Sequence, residues 1–185
     1  MKQYISILFL FIFCAFSVVN NKEQIEYSEQ QKLAWSDYKA RPNKTSSFKA
    51  LTATRISFKA NSDGKKLNIS IKNIFEPQNS WTKTQENIDL LEHERLHFHI
   101  SELFARELRK EILTTKFRSK DEKLMNEISE MYKHSMKELT EYQKQYDKES
   151  EHSINEFKQK EWEGIVFKRL SELKPFESSE IEISL

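Results

Sequence analysis

Leu67, Ile69 and Ile71 alternate with Asn68, Ser70 and Lys72, a period of two that predicts a strand with one face on a core and the other in water. A second apolar run precedes it at residues 51–59. The two are separated by residues 60–65, where Asp63-Gly64 supplies the positive backbone dihedral of a tight reversal, so the pair reads as a β-hairpin. Pro77 ends it, and Ser80-Trp81 leads onward. From about residue 86 to 114 the chain has neither Pro nor Gly, and Leu90, Leu96, Ile100, Leu103, Phe104 and Leu108 recur at helical spacing. A second helical stretch is predicted over about 120–173, interrupted at most by Gly164 and closed by Pro175. Its stripe is Leu124, Ile128, Met131, Leu139, Tyr142, Tyr146 and Phe157. Residues 22–49 are polar around Trp35 and Pro42 and read as an irregular entry segment with a short strand or turn near 33–38. The order predicts an α+β chain: a small N-terminal antiparallel hairpin on a central helix, followed by a long C-terminal helical region.

The first 17 residues differ from all of this. Lys2 precedes an apolar run over residues 5–16 that is too short for a comfortable permanent span and has the make-up of a secretory signal peptide. Ala15 and Ser17 are the small residues a signal peptidase reads, which predicts cleavage after Ser17. The expected organisation is therefore a signal peptide at 1–17 and a single domain at 18–185, exported to the periplasm or beyond, with no stable membrane anchor after cleavage. Cleavage removes one Lys and the only Cys, leaving 29 basic and 29 acidic residues and no possible disulfide. This balance gives no global reason to expect nucleic acid as a partner. Two glycines in the whole chain do not build a phosphate-cradling loop, no Gly-x-Ser-x-Gly elbow is present, and no cysteine remains as a nucleophile.

The chemistry concentrates in His93-Glu94-Arg95-Leu96-His97, an H-E-x-x-H motif inside the first predicted helix. Residues four apart lie about 40° apart around a helix, so both imidazoles can reach one ion. Glu94 stands about 100° from His93, beside such an ion rather than on it, where it can take a proton from water. With this chain's own 5 His and 29 acidic residues, about 0.02 such matches are expected by chance. The bland alternative is a pair of hydrogen-bonded core histidines, since both project from the apolar face near Leu90, Ile100 and Phe104. Burying two neighbouring imidazoles beside a carboxylate is costly unless something binds them.

An open zinc site needs a third protein ligand. His99 points elsewhere on the same helix, and His134 lies on a charged helical face. His152 is the best candidate, although on an ideal helix it sits about 120° from the Leu124/Ile128/Tyr146 stripe. Reaching the site then requires a bend in the second helix or contact with its flank, and Glu149, nearer the stripe, is the substitute ligand or supporting partner.

The chain resembles the bacterial domain of unknown function 922 family, regarded as predicted secreted zinc-dependent proteases of the zincin type. The resemblance rests on Leu33-Ala34-Trp35-Ser36-Asp37-Tyr38, on Ser80-Trp81, and on Leu91-Glu92-His93-Glu94-Arg95-Leu96-His97-Phe98 with Glu102, Ala105 and Arg106. It continues through Tyr146-Asp147, Glu149 and His152. His99, Ser150 and Ser153 depart from the family pattern, at positions where Asp, Thr and Gly are expected. The resemblance implies a zincin-like fold and marks His152 as the third metal ligand beside His93 and His97. The expected activity is a zinc-dependent peptidase with Glu94 as general base, acting on a peptide or protein substrate. Tyr146, Tyr142 and Arg106 are the candidates for stabilising an oxyanion. The rival reading is a non-catalytic zinc-binding envelope or interaction protein on the same scaffold, distinguished by a closed four-ligand site. Zinc is the default ion, because histidine-rich sites accept other divalent ions as well.

Overall fold

The alternating run at residues 67–71 becomes the centre of a sheet in a computed structural model that describes residues 24–117 and 122–185. Strand β4 (Lys66–Phe75) buries Leu67, Ile69 and Ile71 on one face. It pairs antiparallel with β3 (Thr54–Ser62) in the register Phe58↔Ile71 and Ser62↔Leu67. The reversal depends on two residues. Asp63 Oδ1 accepts from the backbone N–H of Lys65 and Lys66, both at 2.8 Å, and Gly64 takes φ +86°, a conformation that costs a side-chain-bearing residue about 1–2 kcal/mol. The predicted hairpin is therefore present.

The other edge of β4 is shared. Strand β1 (Ile25–Glu26) pairs with its Phe75 end. The C-terminal strand β6 (Glu180–Ser184) pairs with its Lys66 end, Ile181 opposite Ile69 and Ile183 opposite Leu67. The sheet is thus not wholly N-terminal: Glu180-Ile181-Glu182-Ile183 alternates with the strand period and closes the sheet from the far end of the chain. A second sheet consists of β2 (Ala50–Leu51) and β5 (Trp81–Thr82).

Helix α1 (Ile88–Thr114) starts where Asn87 Oδ1 accepts from the Leu90 N–H at 2.9 Å, a capping bond typically worth about 1 kcal/mol. It then runs 27 residues without Gly or Pro. Its inner face, Leu96, Ile100, Leu103, Leu108 and Ile112, joins Ile69 and Ile71 of the sheet in one core cluster. Truncating Ile100, which is fully buried, removes about 2–5 kcal/mol. A smaller cluster sets Leu33, Trp35 and Tyr38 of the entry segment against Phe75, Leu90, Leu91 and Phe98.

The single long helix expected over 120–173 is two helices, α2 (Glu122–Ser150) and α3 (Glu156–Glu172), and Gly164 lies inside the second without interrupting it. The break falls at 151–154. There the His152 N–H bonds the Asp147 carbonyl at 3.1 Å, and Glu151, His152 and Ser153 all take positive φ, at 51°, 51° and 78°. This is a Schellman-type stop with a glutamate where glycine is usual. Asn155 then caps α3, its Oδ1 accepting from the Lys158 N–H. The restart shifts the helical phase, so Phe157, expected in the buried stripe, is 76% exposed. Among the described residues the architecture is α+β: small antiparallel sheets, three α-helices and a long C-terminal helical part. The signal peptide expected at 1–17 lies outside the described residues. Among the described residues, no helix is long and apolar enough to cross a membrane.

Candidate metal centre

Helix α1 delivers His93, Glu94 and His97 to the floor of a cleft of about 340 Å³, and all three side chains are buried. One wall is the end of α2 and the turn after it, with Gln143, Asp147, Glu151, His152 and Ile154; the other is residues 47–52, including β2. Strand β2 pairs with β5 on one side only among the described residues.

The two imidazoles are held in the same way. His97 Nδ1 lies 2.7 Å from Gln143 Oε1, while the Gln143 amide donates to Ser101 Oγ at 3.1 Å. His93 Nδ1 lies 3.3 Å from Gln159 Oε1. The Gln159 amide donates to Glu163, and Gln159 Oε1 also accepts from the Tyr146 hydroxyl at 2.6 Å. The other neighbour of His93 Nδ1, Ser150 Oγ, donates its own proton to the Tyr146 carbonyl. Acceptors therefore face both Nδ1 atoms, and each Nδ1 must carry a proton.

That leaves both Nε2 atoms for one oxygen. Asp147 Oδ1 lies 3.2 Å from His93 Nε2 and 3.0 Å from His97 Nε2. A third nitrogen, His152 Nδ1, stands 3.4 Å from the same oxygen. With the Nδ1 protons already committed, a lone pair on either Nε2 would point at a carboxylate oxygen. The arrangement is satisfied by two imidazolium ions side by side, their rings 4.9 Å apart, or by one divalent cation among the three donors. Burial acts against the charged form of His97, but the hydrogen bond it donates to Asp147 and the nearby Glu94 charge outweigh it and raise its pKa. Burial likewise pushes the Asp147 carboxyl up, yet the bonds from His93 and His97 hold it well below the ordinary carboxylate range. The donors His93, His97 and Asp147 lie within 4.8 Å of one another, the spacing of a metal cluster, so the residues present fit a divalent ion. Glu94 Oε2 is buried and has no hydrogen-bond partner.

The sequence-predicted residues divide accordingly. His93, Glu94 and His97 share the cleft. His152 reaches its rim, 49% exposed and 5.1 Å from the Phe48 ring, because the helix stop supplies the bend that the ideal-helix geometry required. Glu149 does not join them: its carboxylate accepts from Trp162 and Gln145. None of the three oxyanion candidates lines the cleft. Tyr146 is fully buried, stacked on His93 at 4.6 Å; Tyr142 accepts from Arg169; Arg106 is bonded to Glu102 and the Leu170 carbonyl. His134 is exposed beside Glu138, and His99 bonds the Tyr27 hydroxyl at 2.9 Å. Asp147, Gln143 and Gln159 were not singled out as site residues. The available signal was the polar i, i+4 pair Gln143 and Asp147 running beside the Tyr142/Tyr146 stripe.

An H-E-x-x-H helix facing the end of α2 and a converging donor set define a candidate metalloprotein. Residues 21–153 match the family described as bacterial protein of unknown function, DUF922, and the chain belongs to that family. No curated protein matches the chain. No solved structure matches it either.

Proposed function

We propose that this protein is an exported zinc-dependent metallopeptidase on a zincin-like scaffold. The observation that carries the reading is the pairing of two buried imidazoles, whose Nε2 atoms need positive charge between them and Asp147, with a buried unpartnered carboxylate oxygen on Glu94 in the same cleft. A carboxylate left in that state is unfavourable for folding alone and suited to catalysis.

A bound zinc ion would supply Lewis-acid polarisation of the scissile carbonyl and acidify a water molecule. His93, His97, Asp147 and His152 are the residues that would hold it, with His93 and His97 fixed by the two carboxamides. Glu94, through Oε2, takes the proton of the attacking water and delivers it to the leaving amine nitrogen. The one-sided β2 edge suits an extended peptide, which would add main-chain hydrogen bonds alongside residues 50–52. The apolar wall from Phe48, Leu51, Leu90 and Ile154 excludes water from the reacting bond. Export rests on the leader expected at 1–17.

The test is Glu94→Gln. Peptide hydrolysis is expected to fall by about 10²–10⁴-fold while zinc content stays at the wild-type level. Full activity in that variant overturns the mechanism. A second reading, a non-catalytic zinc-binding protein, is favoured by one observation: His152 Nδ1 stands 3.4 Å from the Asp147 oxygen that faces His93 and His97, so a fourth donor is near the site. It predicts zinc retention with no hydrolysis of any peptide offered.

A further inference from the structure

The nitrogen–oxygen distances around Asp147 constrain more than the presence of an ion. Donor atoms on a tetrahedral shell of about 2.1 Å radius stand about 3.4 Å apart. Asp147 Oδ1 lies 3.2, 3.0 and 3.4 Å from His93 Nε2, His97 Nε2 and His152 Nδ1. These distances fit the edges of such a shell as well as hydrogen bonds, and His93, His97 and Asp147 lie within 4.8 Å of one another, so the carboxylate oxygen stands where a third donor would.

The three clustered donors and the neighbouring His152 are unequally held. His93 and His97 are buried and oriented by Gln159 and Gln143. Asp147 stands on the last full turn of α2, next to fully buried Tyr146. His152 lies beyond the helix, in the middle of three consecutive residues with positive φ, a conformation unfavourable for each of them. It is half exposed, and its ring contacts are with Phe48 and His93. The donor easiest to displace is thus the histidine that faces the cleft mouth.

We propose that Asp147 is a resident oxygen ligand of the divalent ion together with His93 and His97, and that His152 is the exchangeable ligand whose departure opens the position for water and substrate. This rests on the metal-site part of the proposed function and assigns the ligand order within it.

The experiment is zinc affinity of the purified chain, measured by competition with a chelating dye, for wild type, Asp147→Ala, Asp147→Asn and His152→Ala. Visible absorption after cobalt substitution reports the donor set independently of any hydrolysis. Asp147→Ala is expected to weaken zinc by more than about 100-fold and Asp147→Asn by about 10-fold or more, while His152→Ala costs about 10-fold or less. The cobalt spectrum should change in all three. Asp147→Asn keeps the size of the side chain and one acceptor oxygen while removing the charge, so a folded variant with wild-type affinity overturns the proposal even if Asp147→Ala fails to fold. Loss of zinc in His152→Ala with retention in Asp147→Asn also overturns it, while leaving the metallopeptidase reading intact. A wild-type chain that binds no divalent ion removes both.

Discussion

Helix α1 carries two buried polar clusters, and they are built on opposite terms. Toward its C-terminal half, Glu102 lies between Arg106 and Arg109 at 3.1 and 3.0 Å. Arg109 also donates to the Ile71 carbonyl from both Nε and Nη2, and to the Phe176 carbonyl. Arg106 reaches the Leu170 carbonyl and Glu29. Each guanidinium is answered by groups of the protein itself, and the cluster ties the helix to β4 and to the C-terminal segment. Toward the N-terminal half, Asp147 Oδ1 faces only the imidazoles of His93, His97 and His152, and Glu94 Oε2 has no hydrogen-bond partner, among the described residues. Burial of polar groups is common to both clusters; what separates a tie from a site is whether the protein completes the electrostatics by itself.

The largest expected effect tests the self-completed cluster. Arg109→Met leaves Glu102 with half its compensation and removes the donor to the buried Ile71 carbonyl and the part-buried Phe176 carbonyl. It should lower unfolding free energy by about 3–5 kcal/mol in urea denaturation. Zinc affinity in the fraction that remains folded should be unchanged. A loss below about 1 kcal/mol would show that this cluster is not the tie described.

The same contrast explains what could be read from the chain. The H-E-x-x-H helix and the hairpin were legible because their signals are local: helical spacing with an Asn cap, and a period-two strand beside Asp63-Gly64. The stop at 151–154 was not, since Lys148-Glu149-Ser150-Glu151 contains neither Gly nor Pro and continues a good helical pattern. Its one mark was Asn155, which caps the next helix. Strand β6 carries its period-two alternation openly in Glu180-Ile181-Glu182-Ile183, but its pairing with β4 is a long-range contact that no local signal marks. In the site, His93, Glu94 and His97 come from one turn of one helix. Asp147, Gln143 and Gln159 are brought in from α2 and α3 by packing, and a carboxamide that orients an imidazole leaves no spacing motif. Glu149 was the wrong side of α2, turned to Trp162.

The site half of the comparison predicts dependence on what is added. Zinc at 100 times its dissociation constant should raise unfolding free energy by about 2.7 kcal/mol, read as a shift of the urea midpoint. His97→Gln should abolish that shift while losing little stability without zinc, because an uncompensated cluster contributes little to the fold. Chelator should return wild type to the His97→Gln baseline. An unchanged midpoint on adding zinc would place this cluster with the self-completed kind.

A smaller effect belongs to the turn that carries His152. Glu151 has φ 51° at the position where a helix stop favours glycine. Glu151→Gly relieves that cost but adds freedom to the unfolded chain, for a net gain of about 0.5–1 kcal/mol. Destabilisation in thermal unfolding would mean that the Glu151 side chain, not the backbone, holds the turn.

The smallest effect returns to the paired cluster, where it reaches the surface. Glu29 accepts from Lys174 at 3.2 Å and from Arg106 at 3.4 Å, and the Lys174 bond, ahead of the Arg106 bond, lowers its pKa below the usual 4.5. A carboxylate whose folded pKa is depressed binds fewer protons folded than unfolded, so its contribution is fully present above about pH 4.5 and is lost as pH falls through the lowered value. Glu29 is half exposed, so solvent screening limits the contribution to a few tenths of a kcal/mol. Glu29→Gln should flatten the acid limb of the stability profile between about pH 3 and 5 by that amount and leave neutral stability almost unchanged. An acid limb identical to wild type would confine the paired cluster to its buried members, Glu102, Arg106 and Arg109, with the surface carboxylate adding nothing to the tie.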